Sequence, residues 1–364
     1  MSLSIGVVGL PNVGKSTLFN ALTKNSVPAE NYPFCTIDPS VGIVPVPDER
    51  LHKLADFSQT QKTIPAIIEF TDIAGLVKGA STGEGLGNKF LSNIREVDAI
   101  LEVVRIFEDS NITHVHGEVD PVSDIEVINY ELIMADTETV NKRLGNTEKD
   151  AKRGDKNAIK ELDILTKIKK VLDSGQMANR LEFTEEEAKL VKGLNLLTTK
   201  QILYALNKQT GGNNLDDNND ERYIKLIDFF QKNSFSYVKV DANSELEMNT
   251  LSDEERDEMK KDLGVDGGLE SMITKSYEML KLITYFTTGE KETRAWTVKL
   301  NATAPEAGAA IHSDFQTKFI RAQVIHWDTL IEAGSNSKAR EKGWIKTVGK
   351  EHIILDGDVI EFLV

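Results

Sequence analysis

The sequence GLPNVGKS at residues 9–16 matches G-x-x-x-x-G-K-[ST], the phosphate-binding P-loop. Before it, Ser4–Val8 is an apolar run that predicts a buried strand, and after it Thr17–Thr23 predicts the first turns of a helix. In that arrangement the loop amides and the positive end of the helix point at one place, where an anionic phosphate chain fits. This context argues against a chance match on an ordinary strand–turn–helix corner.

Length and composition limit the classes of protein to which the chain can belong. The chain has 364 residues, which predicts two or three domains, and its 40% hydrophobic and 28% charged content is that of an ordinary soluble protein. A single cysteine, Cys35, excludes an internal disulfide framework and a cysteine-built zinc site. No run has the length and apolarity of a membrane span, and no signal-peptide pattern opens the chain, so we expect a cytoplasmic protein. The net charge of −15 argues against nucleic-acid binding over the whole surface but leaves room for a local basic face.

Three positions are predicted to handle the phosphates and Mg²⁺. Lys15 would reach the β- and γ-phosphates, and Ser16 would hold Mg²⁺. The loop at residues 28–36 ends in Thr36, which we interpret as the switch threonine that closes over Mg²⁺ and the γ-phosphate. On the loop alone, a surface segment with an incidental threonine is an equal alternative.

A second phosphate-side motif follows the predicted strand Ala66–Phe70. There the D-x-x-G at residues 72–75 places Asp72 where it would hold the metal's water, and Gly75 where the backbone would approach the γ-phosphate closely. Five glycines between residues 75 and 87 indicate a mobile second switch, although a plain flexible linker remains an alternative for the distal half.

The group that would position the attacking water is not the usual one. Ras-like enzymes carry Gln directly after D-x-x-G, and this chain has Leu76, which cannot polarise water. His114 and His116 lie beyond the predicted strand Ala99–Arg105, where loops face the ligand crevice of a parallel sheet. From the residues alone, an exposed loop side chain is the favoured interpretation for either histidine.

The segment from about residue 129 to residue 200 has apolar residues at helical spacing, which predicts a two-helix, coiled-coil-like insertion. Gly154 would lie in the turn of a hairpin or merely interrupt a helix. Clustered basic residues indicate a basic face that could contact a phosphate backbone, with an ordinary solvated helix surface as the alternative. They are Lys142, Arg143, Lys149, Lys152, Arg153, Lys156, Lys160, Lys167, Lys169 and Lys170.

The last eighty residues predict strands around a single helix, as in a β-grasp, ubiquitin-like module. We expect strands over Thr293–Leu300 and Phe319–Ile325, a helix over Pro305–Asp314, and a final hairpin over residues 352–362 on an Asp-Gly turn. No catalytic constellation is visible in this part of the sequence, so a binding role is favoured.

The base-reading motif departs from that of GTPases. Ras-like GTPases read guanine with N-K-x-D, whose Asp accepts from two donors that adenine lacks, and such a site discriminates strongly. This chain has Asn207-Lys208-Gln209-Thr210, in which Thr210 cannot supply the paired acceptors. Guanine selectivity is therefore not supported.

Several long strings together resemble the YchF (Obg-like ATPase) family of P-loop NTPases over essentially the whole chain. They are residues 9–17 (GLPNVGKST), 31–36 (NYPFCT), 72–77 (DIAGLV), 83–90 (GEGLGNKF) and 294–297 (RAWT). The resemblance implies ATP hydrolysis in preference to GTP, ribosome binding, an apolar residue at the place of Leu76, and a water-positioning role for His114. One departure is Thr210, because the family motif usually reads N-x-x-E. A G domain with an inserted coiled coil and a C-terminal TGS domain is also implied.

The residues and the resemblance together predict an α/β fold: a Ras-like P-loop NTPase domain (residues 1–130 and 200–280), an inserted α-helical coiled-coil hairpin (131–199) and a C-terminal β-grasp domain (281–364) that the resemblance identifies as TGS. We expect a Mg²⁺-dependent ATPase with Lys15, Asp72 and His114 in catalysis and metal contacts from Ser16 and Thr36. The predicted nucleotide-binding residues are Asn12, Val13, Gly14, Lys15, Ser16, Thr17, Gly75, Asn207, Lys208 and Ala242.

The resemblance also implies the partners, and the residues leave two alternatives open. We expect a monomer that binds the ribosome or its 50S subunit, with rRNA or tRNA contacts through the basic hairpin and the TGS domain, and no membrane partner. A GTPase switch of the Obg type is one alternative, and a ribosome- or RNA-binding adaptor whose nucleotide only sets its shape is another. The sequence leaves open whether Asn12 also holds a monovalent cation.

Overall fold

The computed structural model describes residues 3–24, 26–27, 38, 40–73, 87–114, 117–218, 220–252, 254–256, 258–259 and 268–363. Thr36, Gly75, Leu76 and His116 lie outside the described residues. Dense contacts divide the chain into two compact units. The P-loop unit comprises Ser4–Lys24 and Phe70–Gly268, and the C-terminal unit comprises Met1–Leu3, Asn25–Glu69 and Leu269–Val364.

The P-loop unit alternates strands with helices. Its elements are β1 (Ser4–Val8), α1 (Lys15–Lys24), the end of β4 (Ile67–Asp72), α3 (Asn88–Glu96), β5 (Ala99–Arg105), β6 (Phe107–Glu108), α4 (Pro121–Lys152), α5 (Lys156–Asp173), a 3₁₀ turn (Ala178–Arg180), α6 (Glu185–Leu194), β7 (Ile202–Asn207), β8 (Asn213–Asn214), α7 (Glu221–Asn233), β9 (Ser236–Val240) and α8 (Ala242–Met248).

The sheet of this unit has the strand order β4-β1-β5-β7-β9, and the pairs from β1 to β9 are parallel. Every residue of β5 and of β7 is buried, as expected for central strands that are covered on both faces. Parallel strands bring their carboxyl ends to one edge, so the loops after β1, β5, β7 and β9 converge there. This edge is where the P-loop lies, and the predicted α/β P-loop fold is confirmed.

Helices α4 and α5 form the predicted hairpin between the neighbouring strands β5 and β7. The turn contains Gly154 at φ +89°, a left-handed conformation that favours glycine, and the Asp155 side chain caps α5. Gly154 therefore lies in the turn of the hairpin. Deeper in the unit, the buried carboxylate of Asp136 on α4 accepts hydrogen bonds from the backbone N–H groups of Leu197 and Thr198, which fixes α4 to the segment before β7.

The C-terminal unit contains a second, mixed sheet with the strand order β13-β12-β14-β10-β11-β3. Its strands and helices are β2 (Val41–Pro45), α2 (Glu49–Ser58), β3 (Thr63–Ile64), β10 (Leu282–Thr287), β11 (Thr293–Lys299), β12 (Arg321–His326), β13 (Lys346–Val348) and β14 (Asp358–Leu363), with helices over Ala304–Ile311, Ser313–Thr317, Trp327–Ala333 and Asn336–Glu341. A helix over Gly268–Met279 leads into β10. The hydrophobic core of the C-terminal unit includes Tyr285, Phe319 and Ile360.

Two sequence expectations for this unit were wrong. The segment before the Asp-Gly turn does not pair with β14; Ile354 N–H donates to Ala302 O instead, and β14 pairs with β12 and β10. Asp356 accepts from Thr284 N–H and from Arg50, which anchors the turn elsewhere. The unit also has more than a single helix. In the described part of the chain, no helix combines the length and apolarity that crossing a membrane requires.

Candidate nucleotide-binding site

A cleft of about 590 Å³ opens where the loops after the parallel strands converge. It is lined by Gly9, Leu10, Pro11, Asn12, Gly14, Lys15, Ser16, Thr17, Phe107, Ile112, Asn207, Lys208, Gln209, Asp241, Ala242 and Asn243. Most of the predicted nucleotide-binding residues that the structure describes are therefore brought together. The exception is Val13, whose side chain is buried while its backbone carbonyl takes part in the packing described below.

Two glycines of the P-loop are required by their surroundings. Gly14 has φ +94°, and a Cβ there would lie 2.1 Å from Asn207 Nδ2. A Cβ on Gly9 would meet Val103 O at 2.8 Å, against the backbone of β5. Asn12 also has a positive φ, and its Nδ2 donates to Thr113 O. The loop is thus packed tightly against its neighbours, and its conformation is fixed by backbone geometry.

Lys15 and Asp72 meet at the phosphate end of the cleft. The nearly buried Lys15 ammonium forms an ion pair with Asp72 Oδ1, and Ser16 lines the cleft one residue further along. A hydroxyl and a carboxylate are the hard oxygen ligands that Mg²⁺ prefers. Among the described residues no group of three or more His, Cys, Asp and Glu side chains could hold a metal. The donor set therefore fits a Mg²⁺ that takes most of its ligands from phosphates and water.

Asn207 connects the P-loop with the loop after β9. Its buried side chain, 4% exposed, donates from Nδ2 to Val13 O at 2.8 Å and accepts at Oδ1 from Ala242 N–H at 3.0 Å. The N–H of Ala242, a predicted nucleotide-binding residue, is therefore used within the protein. Strand β9 ends at Val240, and Asp241 caps α8, which begins at Ala242.

The neighbouring base-side loop is held by side-chain to backbone bonds. Asn214 Oδ1 accepts from Gln209 N–H and Asn214 Nδ2 donates to Gln209 O. Thr210 N–H donates to Asp241 Oδ2, and Asp241 Oδ1 accepts from two N–H groups at the start of α8. Burial opposes ionisation of Asp241, but these hydrogen bonds outweigh it and lower the pKa of its carboxyl. The Asp241 carboxylate is thus an acceptor already used by backbone donors.

Sequence reasoning missed part of the cleft. Phe107 and Ile112, from the loop after β5, form an apolar wall, while Gln209 and Asn243 add carboxamides. These residues have no motif of their own. The position of Gln209 directly after Asn207-Lys208 was the one available signal. Lys208 lines the cleft as expected, and its ammonium lies 3.3 Å from Asp217 Oδ1.

The comparison with known proteins decides the family. Over 100% of this chain and 99% of the relative, the sequence is 51% identical to a protein named Ribosome-binding ATPase YchF from Bacillus subtilis (strain 168). The chain belongs to the YchF family. A relative of the same name from Escherichia coli O157:H7 is 47% identical over the same shares of the two chains.

Family models and a solved structure agree with this assignment to YchF. Residues 282–364 match YchF-GTPase_C, described as a protein of unknown function (DUF933), and residues 4–135 match a model described as 50S ribosome-binding GTPase. The structure of the Schizosaccharomyces pombe YchF GTPase is 37% identical with a TM-score of 0.89, covering 100% of this chain and 98% of that one.

His114, the residue that the YchF resemblance assigns to water positioning, lies in a different setting from the one the residues alone favoured. It is 5% exposed, so the expectation of an exposed loop side chain was wrong. Its Nε2 lies 2.9 Å from Asp124 Oδ2 in the first turns of α4, and both side chains are buried. His114 does not belong to the described lining of the cleft. Its role in hydrolysis stays a prediction.

Proposed function

We propose that this chain is a Mg²⁺-dependent ATPase that binds ribosomes and uses ATP in preference to GTP. One observation carries the proposal: a cleft whose phosphate end is built on Lys15 and Asp72 and whose base end lacks a free carboxylate at the guanine-reading position. The name Ribosome-binding ATPase YchF, held by relatives that are 43% to 51% identical over the full chain, supports the same activity.

Phosphoryl transfer in this class depends on positioning and on stabilising charge. Lys15 would leave Asp72 for the β- and γ-phosphates, because a triphosphate offers it more negative charge than one carboxylate. Ser16 and Thr36 would hold Mg²⁺, with Asp72 on its water, and Gly75 would lie against the γ-phosphate. When bound, Mg²⁺ supplies neutralisation of phosphate charge. His114, held by Asp124, would orient the attacking water.

Selectivity for ATP rests on the base end of the cleft. Guanine presents two donors that need a carboxylate, whereas Thr210 stands at that position and Asp241 already accepts from backbone N–H groups. Gln209 carries both a donor and an acceptor, which suit the donor and acceptor that adenine offers. Against this, Lys208 lines the cleft as in GTPases, so a GTPase switch is the second candidate.

The hairpin of α4 and α5 would contact the ribosome. We define the lysine tip as Lys149, Lys152 and Lys156, which flank the hairpin turn and are exposed. In the described part of the chain these three form no ion pair, whereas Lys160 pairs with Glu186. Unpaired cations at the end of a long hairpin suit a phosphate backbone. We therefore propose rRNA or tRNA of the 50S subunit as the contact, made by a monomer together with its C-terminal TGS domain.

Hydrolysis of Mg-ATP by a Lys15→Met variant tests the enzyme assignment. We expect turnover to fall by about two orders of magnitude or more, because the ammonium stabilises charge in the transition state. Lys24→Met, an exposed position at the end of the same helix, is the matched control and should keep wild-type turnover. Wild-type protein without ATP turnover, alone and with ribosomes, would overturn the proposal.

A further inference from the structure

One buried arginine forms hydrogen bonds with three carbonyls of the loop that follows β5. Arg105, the last residue of β5, is 1% exposed and donates from Nε to Phe107 O at 2.9 Å and from Nη1 to Ile112 O at 3.1 Å. A third hydrogen bond runs from Nη2 to Asp109 O. One guanidinium therefore fixes both ends of the loop at residues 106–113.

The same side chain is also stacked. The Arg105 guanidinium carbon lies 4.5 Å from the centre of the Phe107 ring, within cation–π range. Burial lowers the pKa of Arg105, and the negative charges of Asp109, Asp124 and Glu108 offset part of that effect. A buried guanidinium is costly unless its donors are used, so this arrangement holds together only when the loop carbonyls are in place.

The attached loop forms one side of the cleft and reaches the opposite side. Phe107 and Ile112 are its two residues in the lining of the cleft. Phe107–Glu108 pairs as β6 with β8, so that Phe107 lies opposite Asn214. Asn214 in turn holds the backbone of Gln209 at both its N–H and its carbonyl. An ordered loop after β5 is thus a condition for the placement of Gln209.

We propose that Arg105 is a positioning residue for the base half of the cleft. It holds the apolar wall of Phe107 and Ile112 and, through the β6–β8 pair, the backbone of Gln209, whereas the residues predicted to handle phosphate and Mg²⁺ lie on α1 and at the end of β4. This inference rests on the proposed function, because it assumes that a nucleotide base occupies this part of the cleft. It predicts that removing the guanidinium weakens nucleotide binding more than it slows the phosphate chemistry.

The experiment compares KM and kcat for Mg-ATP in Arg105→Met, Arg105→Lys and wild-type protein. In Arg105→Met we expect KM to rise by about tenfold, as for loss of one to two kcal/mol of binding, with kcat within about threefold of wild type. The KM of Arg105→Lys should lie between those of wild type and Arg105→Met, because an ammonium can donate to some of the loop carbonyls but lacks the planar fork of a guanidinium.

Two further variants keep the test informative. Lys200→Met removes a half-buried side chain that likewise donates to two backbone carbonyls, Arg95 O and Val97 O, away from the cleft, and should lower the melting temperature while leaving KM unchanged. Ile112→Ala shortens a partly exposed wall residue with little effect on folding, and should raise KM in the same direction as Arg105→Met.

The outcomes separate cleanly. If KM is unchanged in Arg105→Met, the inference is overturned, whatever the result for Ile112→Ala. It is also overturned if Arg105→Met lowers kcat, raises KM and lowers the melting temperature together, as general loosening of the fold would, and Arg105→Lys restores none of the three. If wild-type protein neither binds nor hydrolyses ATP, the proposed function itself fails, which is a different result.

Discussion

The P-loop and the pair His114–Asp124 are held in place by different kinds of contact. At the phosphate end, Gly14 is required by its positive φ and by the side chain of Asn207, which leaves no room for a Cβ. At the water-positioning side, the pair His114–Asp124 is buried and separate from the described lining of the cleft. If His114 orients water, Asp124 must keep its imidazole in one tautomer, since a carboxylate accepts from Nε2–H.

This role predicts a loss of turnover in Asp124→Asn. An amide can face the imidazole with its donor or its acceptor, so the tautomer is no longer fixed, and we expect kcat to fall about tenfold or more with KM near wild type. Asp120→Asn is the control, because it changes the same charge in the same helix and Asn still serves as an N-cap. Unchanged turnover in Asp124→Asn, measured with and without ribosomes, would contradict the role.

Glu102 in β5 predicts a pH dependence of stability. Burial, aided by the charge of Asp124, raises the pKa of the Glu102 carboxyl well above its ordinary value. The unfolded chain therefore loses this proton at lower pH than the folded chain, and stability falls as pH rises between the two pKa values. Glu102→Gln removes that slope, so its melting temperature should exceed that of wild type more at pH 8 than at pH 5. The exposed Glu126→Gln is the control, and an equal shift at both pH values would count against the argument.

The sequence predicted the site residues that belong to a motif, and it did not predict those whose role depends on contacts made in the folded protein. Lys15, Ser16 and Asn207 were predicted to lie at one site because their spacing carries the chemistry, and the structure brings them together. Arg105 could not be predicted, because its bonds go to carbonyls whose positions depend on the folded loop. The burial of His114 was likewise invisible, since it depends on how α4 packs.

At the scale of elements, long periodic or continuous apolar segments were predicted well. The strands β1 and β5 follow from continuous apolar runs, and the hairpin of α4 and α5 follows from apolar residues at helical spacing. The prediction of a final hairpin was wrong because an Asp-Gly pair specifies a turn but not which strands pair on either side of it. The partners of β14 were decided by non-local pairing with β12 and β10, which periodicity does not encode.

The hairpin carries a prediction of its own, made with the lysine tip. Reversing the charge of the lysine tip by Lys149→Glu, Lys152→Glu and Lys156→Glu should weaken ribosome association about tenfold or more at low salt. It should also flatten the salt dependence of association, because fewer counterions are released. Lys24→Glu, Lys225→Glu and Lys232→Glu change the net charge equally on exposed positions of other helices and form the control. Equal association of wild-type and tip-reversed protein in ribosome co-sedimentation would exclude the tip as the contact.

At the scale of the whole molecule, contacts do not follow the order of the chain. Asn25–Glu69 groups with Leu269–Val364, and β3 pairs with β11 across more than two hundred residues. Sequence patterns predicted both sheets but not this pairing, because long-range strand partners are chosen by packing. The division of the chain into three domains at residues 131, 200 and 281 stays a prediction.

The central claim concerns which nucleotide the whole protein uses. Its most direct test is equilibrium affinity of the purified protein for Mg-ATP and Mg-GTP, measured by competition against one labelled nucleotide, with and without ribosomes. The absence of an acceptor carboxylate at Thr210 predicts ATP bound tighter than GTP by about tenfold or more. GTP bound tighter than ATP under both conditions would contradict the account and favour a GTPase switch.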